Sequence, residues 1–154
     1  MGFGRMRRST AVAVITLLVA SVAGAELAKW NQERVTKYAE ELKLSTRALV
    51  QALSTIQATG VIHKDMFYQA RETVGLMDHA ADGLAAALKS GEGLDATLPR
   101  FKRIQALRRD AEDQAKKAEL PEAVLDKVFP VGAALFKLRP YYQDEPMPEE
   151  PKTP

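Results

Sequence analysis

No cysteine occurs in the 154 residues, and histidine occurs only twice. The missing thiols exclude disulfides, thiolate metal sites, iron–sulfur clusters, cysteine nucleophiles and covalently attached haem, so stability has to come from packing. The two histidines, His63 and His79, have no H-x-x-x-H or E-x-x-H partner that would put a second ligand on the same helix face. Asp78 and Asp82 stand near His79, yet ligands from one helix do not close a coordination sphere, and a solvated face is the simpler reading. His63, next to Lys64, reads as an exposed turn residue.

Other chemistries fall with these absences. A haem held inside a bundle needs axial ligands on facing helices, and no histidine follows His79. Met66 and Met77 are better read as core filler. There is no G-x-S-x-G element, and Ser45 and Ser54 lie far along the chain from either histidine, so no catalytic residue is assigned. Strand-like alternation is missing throughout, as is any repeat of about 20 to 50 residues. No metal site and no cofactor are expected.

What is present begins with a leader. Arg5, Arg7 and Arg8 form a basic flank, residues 11–20 are an uncharged apolar run, and Ala23-Gly24-Ala25 has the small-residue spacing of a cleavage site. A cleaved signal peptide is the first reading of residues 1–25. An uncleaved N-terminal membrane anchor is the rival, because residues 9–25 carry no charge and approach the length of about 17 to 25 residues that spans a bilayer. Either reading exports the domain: periplasmic or secreted if the leader is cleaved, membrane-anchored with a cytoplasmic N-terminus if it is kept.

The net charge of +2 is mostly that leader's, since it holds three of the 22 basic residues and none of the 20 acidic ones. The remainder carries 19 against 20, a net charge of −1, which argues against a nucleic-acid partner.

Apolar residues after the leader recur at helical spacing. A first helix is predicted from Glu26 to Thr59, closed by Gly60, with Val35, Tyr38, Leu42, Leu49, Ala52 and Ile56 as its inward stripe. At that length it outreaches the later helices and its first turns overhang them; with the leader retained, residues 9–59 form one nearly continuous helix. A second helix is expected after a capping Asp65, running to Ser90, with Phe67, Ala70, Val74, Met77, Ala81, Leu84 and Leu88 inward. A third, capped by Thr97 with Pro99 in its first turn, turns Phe101, Ile104, Leu107, Ala111, Ala115 and Ala118 inward. The fourth opens at Pro121 and is kinked or split by Pro130. Pairs four residues apart, Glu33 with Lys37, Glu112 with Lys116 and Asp113 with Lys117, are expected on the outer faces.

The fold class that follows is all-α: an antiparallel helical bundle of three long helices plus a shorter kinked fourth, preceded by the export or anchor helix. Residues 1–25 are leader, 26–139 the bundle, and 140–154 an extended, largely disordered tail with five prolines and four acids. The core is expected to centre on Leu42, Leu49, Ile56, Val74, Leu84, Phe101 and Leu107.

Two surface features remain. Arg100, Lys102, Arg103, Arg108 and Arg109 form a local basic excess suited to an anionic surface. Trp30, five residues past the leader, either anchors at a membrane interface or caps the end of the bundle. The function expected is an exported, non-catalytic structural or interaction module of the cell envelope or extracellular space, with a protein or envelope partner or the membrane itself. The alternatives are a bundle that binds an apolar ligand or lipid, and a haem or metal carrier.

Overall fold

The computed structural model describes residues 27–57 and 63–142. The described residues form four helices and no strand: α1 (Gln32–Ser54), α2 (Lys64–Lys89), α3 (Leu94–Ala118) and α4 (Glu122–Tyr142). The leader and the end of the tail lie outside the described residues, and no described helix is long and apolar enough to cross a membrane.

Local chemistry sets the ends of α1 more tightly than its apolar pattern does. Asn31 is in an extended conformation and its side chain accepts the Arg34 backbone N–H at 2.9 Å, the geometry of a good N-cap. At the other end the Ser54 and Thr55 hydroxyls turn back onto the Gln51 and Ala52 carbonyls, both at 2.7 Å. The helix therefore has 23 residues, fewer than the 26 of α2 and the 25 of α3. The long overhanging helix is corrected on this point, and so is the continuous stalk. Residues 27–31 are not helical; instead the Ala28 N–H donates to the Pro140 carbonyl at 2.6 Å and ties the entering chain to α4.

Other expected caps shift as well. Helix α2 begins one residue before Asp65, after His63, whose side chain makes no capping bond. Helix α3 begins at Leu94 after Gly93, which leaves Thr97 fully buried inside the helix and places Pro99 beyond the first turn. Helix α4 is not split: it runs through Pro130 and on through Pro140 to Tyr142. Residues 140–142 consequently belong to the helical core and not to the tail.

The core follows strict heptads, which pack side chains from facing helices into one seam. In α1 the buried set is Val35, Ala39, Leu42, Thr46, Leu49 and Leu53. Tyr38 and Ile56, expected on that stripe, are half-buried against its edge, as is Leu107 of α3. All seven inward positions expected of α2 are buried, as are Phe101, Ile104, Ala111 and Ala118 of α3. Thr46 occupies the one polar heptad site of α1, where its hydroxyl meets the Asp78 carboxylate at 3.0 Å and the Lys43 carbonyl at 3.0 Å. Thr46→Val keeps the shape and removes both bonds. A loss of about 1 kcal/mol is expected in urea unfolding, and no change would mean that the pair contributes nothing net.

Helix pairing leaves the ring unevenly closed. α2 packs on α1 and α3, and α1 packs on α4, whereas α3 and α4 meet in only a few places. Gln32 joins the start of α1 to the end of α2 by donating to the Leu88 carbonyl at 2.7 Å and the Glu92 carbonyl at 3.1 Å, so these two helices run antiparallel. Ion pairs Lys43–Asp82 and Arg47–Asp78 continue the α1–α2 seam, and Lys137–Glu41 joins α4 to α1. Of the three pairs expected four residues apart, none forms within 4.0 Å among the described residues; Glu112 pairs instead with Arg108, at 2.6 Å.

At the end of the molecule where the chain enters, aromatic rings supply a contact between α3 and α4. Tyr142 stacks on Phe101 at 4.4 Å between centroids, and its hydroxyl and that of Thr97 are 2.8 Å apart. Trp30 meets Tyr141 and Tyr142 edge-on and donates its indole N–H to Gln32. It packs against this end of the bundle.

Burial pushes the Tyr142 phenol above its ordinary range, with the Thr97 hydrogen bond opposing the shift. A raised value means that the unfolded chain ionises first, so the contribution is intact below about pH 10 and lost as pH rises through the folded value. Thermal melts of the wild type should fall off above about pH 10, and Tyr142→Phe should flatten that fall. An unchanged alkaline slope in the variant would place the titration elsewhere.

Candidate functional site

The open α3–α4 seam is a cleft of about 780 Å³. Its origin is legible in side-chain size. The heptad sites in the second half of α3 are Arg108, Ala111, Ala115 and Ala118, none of which sends a bulky apolar group toward α4. The facing half of α4 supplies Val124, Val128 and Val131, followed by Gly132. At the other end Phe101 of α3 stacks on Tyr142 of α4; in the cleft the α3 wall is alanine and the α4 wall valine. A left-handed Glu119 turns the chain between them and drops Leu120 under the cleft's end.

Leu49 and Leu53 of α1 form the floor together with Ala70, Val74 and Met77 of α2. The rim is unusual. Leu125, Phe129 and Phe136 of α4 are 48%, 79% and 58% exposed, although large apolar side chains normally find cover. Among the described residues, the charged lining groups are Arg108, Glu112, Lys116 and Lys137. Arg108 reaches across the seam, its guanidinium 4.0 Å from where a Cβ on Gly132 would stand, while it holds Glu112. Lys137 holds Glu41 at 2.6 Å, and Lys116 has no carboxylate within 4.0 Å among the described residues.

Among the described residues, no hydroxyl, imidazole or amide side chain lines the cleft. Its walls offer apolar contact and a few charges at the rim, which suits binding of an apolar molecule. Both histidines are exposed and away from it. The carboxylates beside His79 are already engaged: Asp78 by Thr46 and Arg47, and Asp82 by Lys43, whose hydrogen bond holds the Asp82 carboxyl below its ordinary range. No group of three metal-ligating side chains occurs among the described residues.

The five basic residues of α3 are not one surface. Arg108 turns to the cleft, and Arg100 turns to α2, with its guanidinium 3.6 Å from a Cβ built on Gly83 and 3.8 Å from Glu92. Lys102, Arg103 and Arg109 stay exposed. What the residue-by-residue reading missed is the cleft itself. Its signal was available in the run of small heptad residues on α3 and in the phenylalanines of α4 that fall off the inward stripe.

Comparison with protein-family models, with curated proteins and with solved structures gives no match.

Proposed function

We propose that this chain is an exported, non-catalytic binding module, an antiparallel helical bundle whose α3–α4 cleft receives one apolar chain such as the acyl tail of a lipid. The observation that carries the proposal is the unfilled apolar cleft with two exposed phenylalanines at its mouth. Its volume lies within the roughly 300 to 1,000 Å³ typical of small-molecule sites. Along α4 it runs from Val124 to Phe136, about 18 Å of helix at the standard rise. That is close to the reach of one acyl chain, about half of a bilayer's 30 Å hydrocarbon core.

Export is supported by the basic flank, the apolar run and the small-residue site of residues 1–25. Intact-mass measurement on the protein from its native compartment tests it, with a mature chain beginning at Glu26 expected and a full-length membrane-bound chain favouring the anchor. Exposed Lys102, Arg103 and Arg109 suit approach to an anionic membrane surface, where such a ligand would be collected.

Binding is tested by titrating the full chain with dansyl-labelled undecanoic acid. Saturable binding of one probe per chain is expected. Ala115→Trp, which fills the cleft from its α3 wall, should weaken binding by at least about tenfold, or 1.4 kcal/mol, with helicity unchanged. Equal affinity in the variant would remove the cleft as the site. A tightly held protein recovered in place of any lipid would favour the structural or interaction module.

A further inference from the structure

We infer that the α3–α4 cleft selects chains that end in a carboxylate, and that Arg108 is the residue that holds this head. The inference rests on the cleft as the place where an apolar chain binds, and it names the class of chain. Among the described residues, three of the charged side chains lining the cleft are cations and one is an anion. Glu41, which Lys137 holds from α1, answers a second cation and leaves one positive charge over. A ligand with a single negative end balances that charge, and an uncharged one does not.

Arg108 is placed for this role by what it touches and by what it leaves open. Half-buried on α3, it gives its Nε to Glu112 at 2.6 Å, which fixes the guanidinium from behind. Its terminal amino groups have no hydrogen-bond partner among the described residues. They stand beside Gly132 of α4, where a Cβ would find Nη2 at 4.0 Å and nothing nearer beyond the glycine's own backbone. The room that a side chain at this position would fill is thus open to a ligand. It lies beside the two-pronged edge of a guanidinium, which matches the two oxygens of a carboxylate.

From that head the tail runs toward the turn. The approach of Arg108 to Gly132 sets residues equally far from Leu120 level with one another, so Lys116 stands by Val124. Between Gly132 and Val124 lie about 12 Å of helix at the standard rise, walled by Ala111 and Ala115 and floored by Leu53 and Ala70. Lys116 lines the turn end too, but it is exposed, and a strongly hydrated ammonium keeps its charge in water while its stem covers apolar surface. Glu112 limits the head to one charge. A phosphate, which carries nearly two at neutral pH, is repelled by it more strongly than a carboxylate.

Calorimetric titration of the full chain with undecanoate, undecanol and undecyl phosphate at neutral pH tests this. Undecanoate should bind at least about tenfold more tightly than undecanol, and more tightly than undecyl phosphate. Arg108→Gln should bring the ratio of acid to alcohol affinity close to one, and Arg108→Lys, which keeps the charge without the fork, should restore part of it. Undecanol binding by each variant reports that the cleft is intact, and Ala115→Trp should weaken acid and alcohol together. Equal binding of acid and alcohol by the wild-type chain would overturn the choice of head while leaving an apolar cleft, whereas binding of neither would overturn the cleft itself and this inference with it. A preference lost in Lys116→Gln and kept in Arg108→Gln would move the head to the turn end and overturn the role of Arg108. Tighter binding of the phosphate would overturn the carboxylate.

Discussion

Replacing Phe101 by alanine is expected to cost about 3 to 5 kcal/mol in urea unfolding, the range for removing a fully enclosed aromatic ring. The ring is completely buried and stacks on Tyr142 at an interplanar angle of 14°. Its position matters as much as its size. Helices α3 and α4 touch in few places, and the Phe101–Tyr142 stack holds them together at the end away from their connecting turn. Losing it opens a cavity and removes the tie of α4 to α3 at this end, leaving α4 held there by α1, Ala28 and Trp30. Phe101→Leu should recover part of the loss by refilling the volume. A cost below about 1 kcal/mol for the alanine variant would mean that the Phe101 ring is not enclosed in the core.

Two leucines one heptad apart on α1 should separate the closed part of the core from the open part. Leu42 is fully buried and does not line the cleft, so Leu42→Ala leaves a cavity that its neighbours cannot readily fill. Leu49 is just as apolar and only 3% exposed, but it forms part of the cleft floor, so its loss widens a space that already exists. Such truncations cost about 2 to 5 kcal/mol, with the cost rising with the volume of new cavity. Leu42→Ala is expected in the upper part of that range and Leu49→Ala near its lower end. Equal costs would show that the seam above Leu49 is closed in solution.

Helix number, helix class and most of the core were readable from periodicity, and the reasons differ by helix. In α2 every heptad site is apolar, so all seven inward residues were found. In α1 the heptad passes through Ala39 and Thr46, which are small or polar, and the eye is drawn to Tyr38, Ala52 and Ile56 on a neighbouring stripe. Thr46 is buried because Asp78 answers its hydroxyl, a long-range bond that no local pattern announces. Helix ends failed for a related reason. Residues 26–31 are composed largely of good helix formers, yet Asn31 offers a cap, and Ala28 and Trp30 gain more from packing on α4 than from continuing a helix.

Pro130 and Pro140 look like breaks, since each removes an interior hydrogen bond, but the buried residues around them hold α4 in one piece. Continuation to Tyr142 then assembles the aromatic cluster. The cleft was the hardest feature to read because it is made of what is missing, namely bulk on the second half of α3. Exposed Phe129 and Phe136 become visible as an outward seam only when the inward seam of α4 has been fixed.

The cleft as the place where an apolar chain binds is tested most directly through the methionine methyl groups. Met77 lines the cleft floor, whereas Met66, about three turns earlier on α2 at 3.6 residues per turn, does not line it. In a full chain carrying carbon-13 only in its methionine methyls, titration with undecanoic acid should shift the Met77 resonance saturably and leave Met66 in place. Ala115→Trp should abolish the shift. A Met77 signal that stays fixed while the acid binds, or movement confined to other methionines, would put the ligand outside the cleft and contradict the proposed function.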